Sequence, residues 1–90
     1  MNGEAWIQAL ERVREMEAHY DFLRQWAGRS PDDPQTAAML RQSRAVLEAY
    51  LSGGQWLADY TLDESGAFPP ELKRGVLSQD GLYDLLQDMP

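Results

Sequence analysis

"EAWIQALERVREMEAHYDFLRQWA", residues 4–27, carries apolar side chains at Trp6, Leu10, Val13, Met16, Tyr20 and Leu23. The spacings are three and four throughout, which places these residues on one stripe of an α-helix. No proline interrupts the run, and Gly28 follows it as a C-terminal stop. At 1.5 Å per residue such a helix is about 36 Å long.

Outward from this stretch, "GRSPDDPQ" (28–35) breaks the period with two prolines. Asp33 before Pro34 reads as an N-cap followed by the first helical residue. A second helix is predicted from Pro34 to about Leu51, with Met39, Leu40, Ser43, Val46, Leu47, Tyr50 and Leu51 on its stripe and Gly53-Gly54 at its end. Two long helices joined by a short loop predict an antiparallel hairpin over 4–51.

Past Gly54 the elements shorten. "QWLADY" places Trp56, Leu57 and Tyr60 on one face of a turn or two of helix. "PPELKRG" reads as one helical turn from near Pro70, with its acid early and its cations late, as the helix dipole favours. Ser78 is the expected N-cap of a last helix through about Asp88, with Leu82, Leu85 and Leu86 facing the core. No strand-like alternation appears. The expectation is one all-α domain, about 60–70% helix against about 30–35% in an average soluble protein. Its hairpin is covered by a lid of short helices over 52–90.

Ninety residues with 43% hydrophobic side chains suffice for a compact core of modest stability. The absence of cysteine excludes disulfides, thiolate metal sites and cysteine nucleophiles. The start "MNGEAWIQAL" lacks the basic and apolar regions of a signal peptide. No apolar run approaches the ~18 residues of a membrane span. A cytoplasmic protein with no membrane partner is expected.

The net charge is −7. Residues 1–45 carry six basic and seven acidic groups, whereas residues 46–90 carry two and eight. A nucleic-acid binder draws much of its affinity from a basic stripe, so no nucleic-acid partner is expected.

Two constellations stand out as candidates. Phe22 and Trp26 form an i, i+4 pair well off the main stripe of the first helix, with His19 beside them. Either lid side chains such as Trp56 and Phe68 cover this pair, which is the expectation, or the pair marks a partner surface. His19 has no second His or Cys with which to hold a metal.

The other constellation is Asp59, Asp63 and Glu64 beside Lys73 and Arg74. Paired carboxylates can hold a cation or act as acid and base. A calcium loop begun at Asp59 fails, because Glu64 falls where the glycine belongs and Pro70 where the bidentate glutamate belongs. The phosphate-cradle pattern is also missing around Gly75 and Gly81. The favoured reading is structural: Asp63 or Glu64 pairs with Lys73 or Arg74, Gly66 permits a reversal, and Ser78 opens the last helix.

"SGGQWLADYTLDESGAFPPELKRGVLSQDGLYDLL" (52–86) resembles the bacterial family called domain of unknown function 4298, and "ERVREMEAHYDFL" agrees more loosely upstream. Phe68 stands where leucine is more usual. The resemblance implies a small bacterial domain whose most characteristic part is its C-terminal third, and it carries over no catalytic residue. The expected function is a protein–protein interaction or adaptor module, by an unknown partner or self-association, without a cofactor. The alternative is a small metal-dependent hydrolase or metal-binding protein using Asp59, Asp63 and Glu64.

Overall fold

The computed structural model describes residues 3–88, with side chains from residue 5 onward. Four α-helices occur in it: α1 (Gly3–Gln25), α2 (Pro34–Ser52), α3 (Gln55–Glu64) and α4 (Gln79–Asp88). A 3₁₀ turn, Gly75–Leu77, precedes α4. The architecture is all-α, 75% helical, with no strand among the described residues. Helix content exceeds the expected range partly because α3 runs through ten residues rather than a turn or two.

α1 and α2 form the antiparallel hairpin. His19 of α1 meets Ser43 of α2 at 2.9 Å, while Arg12 and Tyr50 converge on a common partner further along. Asp33 caps α2 through its carboxylate, which accepts the Thr36 N–H at 2.8 Å, and Pro34 occupies the first helical position. That bond holds the exposed Asp33 carboxyl below its usual value. Val13, Leu23, Leu47 and Tyr50 are fully or almost fully buried between the helices and the segment that covers them.

The C-terminal segment folds back over α1. α3 packs against α2 and α1, and the 3₁₀ turn lies on α1 and links it to α4. The reversal after α3 uses Gly66 at φ +82°, where a side chain would be strained. Its N–H donates to Asp63 O and the Ala67 N–H to Leu62 O, the paired bonds of a Schellman cap. Phe68, Leu72, Val76, Leu77, Leu82, Leu85 and Leu86 then fill the core.

Three expectations need correction. Met39 is 49% exposed, so the stripe of α2 begins at Leu40. Leu57 is 60% exposed, because the inward face of α3 is set by Trp56 and Asp59, three residues apart. "PPELKRG" makes only a turn closed by Leu72 N–H on Pro69 O, and the helical turn falls later, at Gly75–Leu77. The carbonyls of Pro69, Pro70 and Leu72 accept bonds from Arg74 instead of continuing a helix.

Candidate functional site

Each of the three candidate carboxylates has a different partner. Asp59 is fully buried. Its Oδ2 accepts from Arg12 Nε at 2.9 Å and from the Tyr50 hydroxyl at 2.7 Å, and its Oδ1 accepts from Arg12 Nη2 at 2.5 Å. One carboxylate on α3 therefore gathers donors from α1 and α2. The bond to Asp59 raises the Arg12 guanidinium above its ordinary value, outweighing the opposing effect of burial. Burial first, and then Asp59, pushes the Tyr50 phenol far up. A buried charge without partners is very costly, and here each carboxylate oxygen is satisfied.

Asp63 pairs with Arg74, whose Nε donates to its two oxygens at 3.0 and 3.2 Å. The same guanidinium donates to Pro69 O at 3.1 Å, Leu72 O at 3.2 Å and Pro70 O at 3.3 Å. Five donors in a planar fork suit this task, which a lysine cannot duplicate. Glu64 is exposed, and its carboxylate, one turn along from Tyr60, raises that phenol. Lys73 is 80% exposed and comes within 3.9 Å of Asp21 on α1. Among the described residues, no three His, Asp or Glu side chains are placed to share a metal ion.

Trp56 is buried, with its ring stacked on Tyr60 at a centroid distance of 5.1 Å. Its indole N–H donates to Val76 O at 3.0 Å. Glu17 of α1 takes the other side of the same residue, its Oε1 accepting the Val76 N–H at 2.8 Å. Both backbone polar groups of Val76 are thus held by side chains from two different helices. Burial raises the Glu17 carboxyl above its usual value, and the Val76 bond only partly offsets this. A Cβ on Gly75 would lie 2.9 Å from the buried Tyr20 ring and 3.2 Å from Glu17 Oε2, so only glycine lets the turn approach α1 this closely. Ser78 Oγ accepts the Gly81 N–H at 3.2 Å, the expected cap of α4.

Phe22 and Trp26 are half-buried against the edge of the core. Arg29 stacks over the Trp26 ring at 4.9 Å. The hydrogen bonds from the C-terminal segment to α1 meet it upstream, at Arg12 and Glu17.

Sequence reasoning missed Arg12, Glu17 and the Tyr50 hydroxyl. The signal for Glu17 was present, since it lies four residues after Val13 and three before Tyr20, inside the apolar stripe. Arg12 gave no such signal, because a flexible arginine at the margin of a stripe is ordinarily solvated.

The family model described as "Domain of unknown function (DUF4298)" matches residues 13–89. The chain belongs to this family. No curated protein and no solved structure matches it. Within the segment matched to DUF4298, Trp56, Asp59, Asp63, Gly66, Arg74 and Gly75 all serve contacts that fix the C-terminal segment or its turns.

Proposed function

We propose that this chain is a cytoplasmic protein–protein interaction or adaptor module without catalytic activity. The observation that carries this reading is the exposure of Leu57 and Tyr60 on one side of α3, while the neighbouring polar groups Asp59, Asp63 and Arg74 hold the fold together. Polar groups committed to internal partners are not free to bind a substrate, whereas exposed apolar side chains gain by meeting a partner. The net charge of −7 disfavours nucleic acid as that partner. A metal-dependent hydrolase would require Asp59 and Asp63 to leave Arg12 and Arg74, and no observation favours that exchange.

The test is co-purification of tagged wild type and Leu57→Asp from the native host, with melting temperatures measured alongside. A protein retained by wild type and lost by an equally stable variant supports the proposal. The absence of any retained protein, with saturable heat on adding millimolar Mg²⁺, Ca²⁺ or Mn²⁺, would turn it toward the metal-dependent reading.

A further inference from the structure

A groove of about 360 Å³ runs between α1 and the loop bearing Leu72 and Lys73. It is lined by Arg14, Glu17, Ala18, Asp21, Leu72 and Lys73, among others. Its size falls at the lower end of the roughly 300–1,000 Å³ of small-ligand sites.

Glu17 is its unusual member. Only 7% of the residue is exposed, yet it lines the groove. Its Oε1 is taken by the Val76 N–H, whereas Oε2 accepts no hydrogen bond from the described residues. No fully buried side-chain oxygen lacks a partner among those residues, so Oε2 keeps some exposure to solvent. A nearly buried carboxylate with one oxygen unused attracts a cation strongly, because water screens it little. Lys73 and Arg24 act on it only through space, and the Lys73 amine extends into solvent near Asp21.

We propose that this groove receives the side chain of a lysine or arginine presented by a partner polypeptide, its cationic head donating to Glu17 Oε2 with Asp21 at the rim. This rests on the interaction-module reading and names the chemistry of the partner. Ala18 and Leu72 offer apolar surface to the methylene stem. The overall charge of −7 favours the approach of a basic segment over an acidic one. The loosely held Lys73 can move aside as the incoming cation replaces it.

Nuclear magnetic resonance titration with capped Gly-Arg-Gly, Gly-Lys-Gly and neutral Gly-Gln-Gly peptides tests the proposal. The two basic peptides should shift the Gly75 and Val76 amide signals saturably, and the neutral peptide should not. Glu17→Gln keeps an acceptor for the Val76 N–H and should weaken binding about tenfold, the scale of one charge-assisted hydrogen bond. Ala18→Phe, at an exposed helical position, should fill the groove and abolish the shifts. Equal shifts from the neutral peptide, or basic-peptide affinity unchanged in both variants, would overturn the assignment. If the peptides bind but co-purification finds no partner, the groove chemistry stands and the module reading falls. The reverse result leaves a module that docks through another surface.

Discussion

The hairpin and the segment that covers it are held together by different means. Over residues 3–52, two helices of 23 and 19 residues pack apolar stripes against each other, with Val13, Leu23 and Leu47 fully buried. Over residues 53–88 the helices have only ten residues each, too short to persist alone in water. Apolar pegs contribute there, but side-chain hydrogen bonds fix the position. Asp59 reaches Arg12 and Tyr50, Val76 is gripped by Glu17 and Trp56, and Arg74 ties Asp63 to three carbonyls. Long periodic helices locate themselves by burying a face, whereas short irregular pieces require directional contacts.

The sharpest way to break this contrast is to remove the central tie. Asp59→Ala leaves the Arg12 guanidinium and the Tyr50 hydroxyl without their acceptor, and should destabilise the fold by about 3–5 kcal/mol. Tyr50→Phe removes one neutral donor and should cost about 1 kcal/mol. Urea denaturation measures both. Near-equal effects below about 0.5 kcal/mol would show that the apolar pegs alone hold α3.

Gly75→Ala tests the close approach of the 3₁₀ turn. Its methyl would press on the buried Tyr20 ring and on Glu17, and overpacking of this kind costs about 1–3 kcal/mol. Thermal melting should show the drop. A change within error would mean that the turn can move away from α1 without loss.

Arg74 and Lys73 provide a smaller and more selective comparison. Arg74→Ala should cost about 1 kcal/mol, since its pair with Asp63 is partly solvated while its carbonyl contacts are lost as well. Lys73→Ala should stay within about 0.5 kcal/mol, as surface changes usually do. Equal losses from the two substitutions would contradict the division of roles between the neighbouring cations.

The subtlest effect is one of pH. Burial raises the folded-state value of Glu17, so the folded protein binds this proton more tightly than the unfolded chain. The resulting stability is fully present below the unfolded value, about 4.3, and is lost as pH rises through the folded value. Glu17→Gln should therefore flatten the stability profile on the alkaline side of that unfolded value. A profile identical to wild type there would show that Glu17 titrates as an ordinary surface acid.

Much of the fold was legible in the chain. The stripe from Leu10 to Leu23, the Asp33-Pro34 start, the Gly28, Gly53 and Gly66 breaks and the Ser78 cap act through their immediate neighbours, and each is found in its expected role. The pairing of Arg74 with Asp63 was also readable, because a short reversal brings the two together. Leu57 was misread because two or three turns of helix contain too few residues to define a stripe. Asp59, an acid next to an apolar face, carried no mark of complete burial.

What the sequence by itself determined is the set of elements: two long helices, their caps, the breaks between them and the family to which the chain belongs. These follow from period, capping chemistry and backbone freedom, all of which operate within a few residues. Tertiary structure alone decided the partners of the charges that pair across the fold. Arg12 meets Asp59 across 47 positions of the chain, and Glu17 meets Val76 across 59. Such partners are chosen by the final packing of three helices, when burial makes an unpaired carboxylate intolerable and a distant donor is the nearest remedy.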